Sequence, residues 1–126
     1  MSVVLDASAV LVLLLDDPGA ELVAEVLSDG VLSAVNLADV LSTLTDRGAD
    51  VSGLADDLVA AGVLVEPMYA AVAAQVAEIR RIDQGRLLSL GDRCCLALRR
   101  RLAGPGLTAD RAWSELAAGV EVRQVR

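Results

Sequence analysis

The sequence predicts an α/β fold, a central parallel sheet of about four or five short strands flanked by helices in an α/β/α arrangement. Three observations predict it. Short runs rich in Val and Leu recur along the chain, each followed by a segment with helical apolar spacing. Strands that alternate with helices in this way pair in parallel and are covered on both faces. At 126 residues with 55% apolar composition, the chain has the size and the core of one domain, spanning 1–126.

The elements follow in order. Ser2 to Asp6 reads as a buried strand, and Ala7 to Asp16 as a helix that Pro18-Gly19 breaks. Ala20 to Leu27 resumes the helical pattern, with apolar residues at Leu22, Val23, Val26 and Leu27. Val31 to Val35 is the second strand, and Asn36 to Asp46 carries a stripe at Leu37, Leu41 and Leu44 that Gly48 closes. A helix over residues 52 to 61 precedes the third strand, Val63 to Glu66, which stops at Pro67. Tyr69 to Asp83 and Ser89 to Leu102 are long helices. Gly104 to Thr108 forms a weak strand, Arg111 to Ala118 a short helix and Val120 to Val125 an alternating last strand.

Composition removes whole classes of chemistry. The chain has no histidine, so a Ser-His-Asp or Cys-His arrangement and an HExxH zinc site are excluded. It has no GxxxxGK[ST] loop and no lysine, and Ser8 stands where a DxD phosphatase needs its second acid. Cys94 and Cys95 are adjacent, a spacing that suits neither an ordinary disulfide nor a CxxC metal pair, and they read as small core residues. Ala9 to Leu15, the longest apolar stretch near the start, is far shorter than the roughly 18 residues of a membrane span. With no basic leader and an acid at Asp6, the chain is expected to be cytoplasmic and away from the membrane.

Net charge is −7, but it is unevenly spread. Residues 1–66 hold twelve acids against Arg47, a balance of −11; residues 67–126 hold ten arginines against six acids, a balance of +4. Two of those six are Asp92 and Asp110, and neutralising them leaves a basic half compatible with a polyanion. The run Arg99-Arg100-Arg101 reads as a solvated helix face, and Trp113 as packing for the last helix. Leu11 to Leu15 goes round a whole helix, so part of it is expected to meet a partner chain.

Four aspartates stand where an apolar run gives way to a helix: Asp6, Asp39, Asp92 and Asp110. In a parallel sheet, ligands bind beyond the carboxyl ends of the strands, where Asp6 and Asp110 fall. Asp39 and Asp92 are placed in the first turns of their helices, with Asp39 opposite Leu37 and Leu44 and facing solvent or a cleft. Each also has a plain structural explanation. Asn36-Leu-Ala-Asp39 and Ser89-Leu-Gly-Asp92 have capping-box spacing, and Asp6 and Asp110 can cap the helices after them. Caps on neighbouring strand-to-helix junctions converge at one sheet edge, so capping and ligation need not compete.

Four strings then become recognisable. Val3-Val-Leu-Asp-Ala-Ser8, Ser33-Ala-Val-Asn-Leu-Ala-Asp-Val40, Leu88-Ser-Leu-Gly-Asp-Arg93 and Leu107-Thr-Ala-Asp-Arg-Ala-Trp113 resemble, in order and spacing, the PIN domain of VapC-type toxins. The resemblance covers nearly the whole chain, down to Val120-Glu-Val-Arg-Gln-Val125. It implies a Mg2+ or Mn2+ dependent endoribonuclease, the toxin of a toxin-antitoxin pair, that forms a homodimer and a hetero-oligomer with a VapB-like antitoxin. Its RNA hydrolysis leaves a 5′-phosphate and a 3′-hydroxyl.

On the same resemblance Asp6, Asp39, Asp92 and Asp110 are the catalytic acids, and Asp6, Asp92 and Asp110 the metal ligands. Ser8, Asn36, Thr108 and Arg93 face the substrate. Asp39 stands where the family usually has glutamate, one methylene longer, and Gly104-Pro-Gly106 replaces a more apolar approach to the fourth strand. The shortened Asp39 motivates a competing reading, a catalytically degenerate module that dimerises and binds an antitoxin without cutting.

Overall fold

The computed structural model describes residues 2–82, 88–102, 106–108 and 122–124. Five short strands, β1 (Val3–Leu5), β2 (Gly30–Ser33), β3 (Leu64–Glu66), β4 (Gly106–Thr108) and β5 (Val122–Gln124), form one sheet in the order β3-β2-β1-β4-β5. Every pairing is parallel, with Val4 opposite both Val31 and Gly106, and Leu5 opposite Leu32 and Leu107. The predicted parallel α/β architecture is therefore the one observed.

The helices are α1 (Ala7–Leu14), α2 (Ala20–Val26), α3 (Ala34–Asp46), α4 (Leu54–Ala60), α5 (Ala70–Ile79) and α6 (Leu90–Leu102), with single 3-10 turns at Leu27–Asp29 and Arg80–Ile82. Side-chain alternation along the central strand divides them into two layers. Val3 and Leu5 pack with Leu32 against α1, α2, α3 and α4, through Val10, Val12, Val23, Val40 and Leu58. Val4 and Val31 point the other way, onto Val76 and Ile79 of α5 and onto Cys94 to Leu98 of α6. Both cysteines are buried, as small core residues should be.

Several boundaries move by a few residues. The second strand stops at Ser33 instead of Val35, because the Ser33 hydroxyl accepts from the Val35 N–H at 3.1 Å and starts α3 two residues early. At its far end α3 closes on Gly48, at φ +85°, with Ala49 N–H donating to Leu44 O and Gly48 N–H to Thr45 O. That left-handed closing turn is why glycine stands there. The helix expected at 111–118 lies outside the described residues, as do Trp113 and Asp110.

One expectation is overturned by packing. Arg99 is not part of a solvated face: it is 3% exposed, among the buried residues of α6. Three consecutive helical residues span about 200°, so a run of arginines on a half-buried helix must turn one of them inward. Arg100 remains exposed, and Arg101 reaches Glu66 at the end of β3, Nη2 to Oε1 at 2.7 Å. Leu11, Leu13, Leu14 and Leu15 are each half-buried against the first core layer. Among the described residues, no helix is long and apolar enough to cross a membrane.

Candidate active site

The strand order places a switch point between β1 and β4, since the chain builds outward through β2 and β3 before crossing back. Asp6 is the first residue beyond β1 at that point. Its backbone is extended and its carboxylate caps α1, with Oδ1 accepting from the Ala9 N–H at 2.8 Å and from the Ser8 hydroxyl at 2.7 Å. The side chain is 3% exposed. A buried carboxylate at this place is supported by the hydrogen bonds and by the positive end of the helix dipole.

Asp92 is set by a different device. Ser89 and Asp92 form a reciprocal capping box, Asp92 N–H to Ser89 Oγ and Ser89 N–H to Asp92 Oδ2, both at 3.1 Å. This expectation from sequence holds. Asp6 and Asp92 both act on one buried group, the Cys95 thiol, less than a turn beyond Asp92. Burial pushes that thiol well above its ordinary range; the charges of Asp6 and then Asp92 push it the same way, and Arg99 opposes them. One sulfur thus feels both carboxylates, so Asp6 and Asp92 lie within electrostatic reach of the same buried side chain of α6.

Asn36 and Asp39 do not form the second capping box expected of them. Ser33 is the cap, so both residues lie within α3, with Asp39 in its second turn instead of its first. Their side chains serve the contact with α6. Asn36 is 2% exposed and donates from Nδ2 to the carbonyl oxygen of Gly91 at 3.1 Å. Its Oδ1 has no hydrogen-bond partner among the described residues. Asp39 is exposed overall, yet its carboxylate abuts Gly91: a side chain at position 91 would collide with Asp39 Oδ2 and stand 3.1 Å from Asn36 Nδ2. The charge of Asp39 also helps raise the Cys94 thiol, after burial and against the pull of Arg93.

Asp92 thus stands in the first turn of α6 with Asp39 and Asn36 against the residue that precedes it, and Asp6 lies within electrostatic reach of the same helix. Ser8 joins them through Asp6. Arg93 is half-buried beside Cys94, with an Nε that has no hydrogen-bond partner among the described residues. Leu5 pairs with Leu107, so Thr108 leaves β4 level with Asp6. Asp110, the third expected ligand, lies outside the described residues.

Among the described residues no three carboxylates or thiols gather closely enough to enclose an ion. A divalent cation of the Mg2+ type does not require that, since it keeps several waters and takes one or two carboxylates. An all-oxygen donor set and a buried amide oxygen without a partner suit such a hydrated hard cation. A cavity of about 470 Å³ between α5 and α6, lined by Ala74, Gln75, Glu78, Ala97, Arg100 and Arg101, contains none of these residues.

The residue that sequence reasoning missed is Gly91. A signal was present, because glycine in a helix costs up to about 1 kcal/mol against alanine and calls for a reason such as close approach of another group.

Comparison with known proteins gives the same picture of the fold. The family model described as PIN domain matches residues 3–119. No curated protein matches the chain. Solved structures do. VapBC2 from Rickettsia felis, bound to a DNA fragment from its promoter, is 11% identical with a TM-score of 0.73, over 98% of each chain. FitAcB from Neisseria gonorrhoeae is 22% identical with a TM-score of 0.70, over 98% of this chain and 97% of that one. FitAB bound to the IR36 DNA fragment is 23% identical with a TM-score of 0.67, over 98% and 94%. At these identities the likeness is one of fold.

Proposed function

The chain belongs to the PIN domain family, and from that premise we propose that it is a metal-dependent endoribonuclease, the toxin of a VapBC-type pair, with residues 1–126 as one PIN domain. The observation that carries the reading is the place of Asp6, buried just beyond β1 at the switch point of the sheet, with Asp92 in the first turn of α6 and both charges acting on the buried Cys95 thiol. Asp39 stands against the same end of α6. Neighbours of the same fold described as VapBC2, FitAcB and FitAB support the toxin assignment. They also support an antitoxin of the VapB kind as partner; on this reading the chain forms a homodimer and a toxin-antitoxin hetero-oligomer and works in the cytoplasm.

Asp6 and Asp92, with Asp110 beyond the described residues, would hold Mg2+ or Mn2+. When bound, such an ion polarises a phosphodiester and makes water acidic enough to attack it. The chain's own residues prepare the place. Two hydrogen bonds and the N-terminus of α1 hold the Asp6 carboxylate in place, and Ser8 fixes its orientation. Asp92 is held by its own cap. Asp39 adds a third negative charge beside them. Asn36 and Arg93 would line the approach of the RNA, with Thr108 at the backbone register level with Asp6 and Arg93 supplying a cation for phosphate.

Total RNA incubated with the protein and Mg2+ or Mn2+ should be cleaved, leaving 5′-phosphate ends. Cleavage should stop with chelator and be lost by at least about a hundredfold in Asp92→Asn. Asparagine keeps the capping geometry, so this variant should melt within a few degrees of wild type. Full cleavage by Asp92→Asn removes the assignment. A wild-type protein that binds no metal and spares RNA, but still binds an antitoxin, identifies the chain as a module that has lost its chemistry.

A further inference from the structure

We propose that Asn36 holds the hydration of the bound cation through Oδ1 while its Nδ2 registers α3 on α6, an inference that rests on the metal-dependent reading above. The Gly91 carbonyl can only accept, so the NH2 group of Asn36 must face it, which fixes the orientation of the amide. Oδ1 is then turned away from Gly91. A buried acceptor without a partner is unfavourable and rare, and such groups call for an unseen donor. Water retained by a small divalent cation is a donor of the required kind, and its protons are made more acidic by the ion.

The position of Asn36 supports this assignment. Its amide contacts the residue immediately before Asp92, and both Asn36 and Asp39 face Gly91 from the same helix. One side chain thus links two elements that carry site acids. Neither atom is replaceable by chance: an apolar residue of equal size supplies neither group, while aspartate supplies the acceptor without the donor.

The experiment is a Mn2+ titration of the full chain, followed by electron paramagnetic resonance of free Mn2+ and by calorimetry, with melting of the metal-free protein alongside. Asn36→Leu should raise the Mn2+ Kd about 10–100-fold, as loss of a residue supporting a metal site does. Its Tm should stay within about 5 °C of wild type, since the lost contact is offset by removing a buried acceptor. Asn36→Asp should show the reverse: Mn2+ affinity kept or tightened, and a lower metal-free Tm because a carboxylate now faces the Gly91 carbonyl.

Wild-type Mn2+ affinity in Asn36→Leu overturns the inference. So does an equal loss of affinity in both variants, which would make Asn36 a packing residue only. Asp92→Asn separates the two levels. If that variant binds Mn2+ as wild type does, the metal-dependent reading fails; if it does not while Asn36→Leu binds normally, only the role of Asn36 fails.

Discussion

Gly91→Ala separates catalysis from stability most sharply. The substitution inserts one methyl group into the contact between α3 and α6, where it meets Asp39 Oδ2 and Asn36 Nδ2. Alanine favours the helix by up to about 1 kcal/mol. Against this, pushing Asp39 off its rotamer costs about 0.5–1.5 kcal/mol. Straining the hydrogen bond from Asn36 to the Gly91 carbonyl costs about 1 kcal/mol. The net destabilisation is about 1 kcal/mol, a Tm loss of about 4 °C for a chain of this size.

Activity should respond on another scale. Misplacing a group in a catalytic site by about 1 Å can cost a hundredfold, or about 2.7 kcal/mol of barrier. The assay is single-turnover cleavage of a fluorescent RNA at saturating Mn2+, with thermal melts of the same samples. We expect a hundredfold slower cleavage by a protein that still melts cooperatively. Adding Asp39→Ala should recover part of the lost Tm and none of the cleavage. A Gly91→Ala variant that cleaves within threefold of wild type would refute the reasoning, because the collision it depends on would not be limiting. A Tm loss above about 10 °C would equally show that position 91 governs packing and not the site.

Two further predictions rest on burial. Arg99→Ala should destabilise the protein by about 2–3 kcal/mol in urea unfolding, through loss of buried stem contacts and of its charge among buried groups, whereas Arg100→Ala on the exposed face should change stability by less than about 0.5 kcal/mol; equal effects would restore the reading of a solvated arginine face. The Cys95 thiol is raised well above 9.0 in the folded chain, so its contribution is fully present below pH 9.0 and is lost as pH rises toward the folded value. In chelator, stability should fall above pH 9 by up to about 1.4 kcal/mol per pH unit, and Cys95→Ala should flatten that slope; an unchanged slope would assign it to other groups.

The sheet was legible because its strands are both hydrophobic and short. Val3–Leu5 must be buried on two faces, which leaves no polar position to disguise the strand, and the same holds for Gly30–Ser33. Boundaries were less legible where two caps compete. Asn36 has a plausible capping spacing, but Ser33 is the cap, and Asn36 is engaged in a tertiary contact that local sequence does not contain, with Gly91, 55 residues away. Arg99 illustrates the same limit. Its neighbours in sequence are polar, but the rotation of α6 over Val4 and Val31 decides which arginine turns inward.

The site itself shows why capping and ligation were hard to tell apart in the sequence. A buried carboxylate needs hydrogen-bond donors around it, and a helix N-terminus supplies both N–H donors and a favourable dipole. Asp6 and Asp92 each use that support, one from α1 and one from α6. Asp39 has no such support, being inside α3, and is correspondingly exposed. The two capped acids are therefore held in place before a cation arrives. Asp39, by contrast, depends on Gly91 for its position, so the glycine does for the third acid what the helix ends do for the other two.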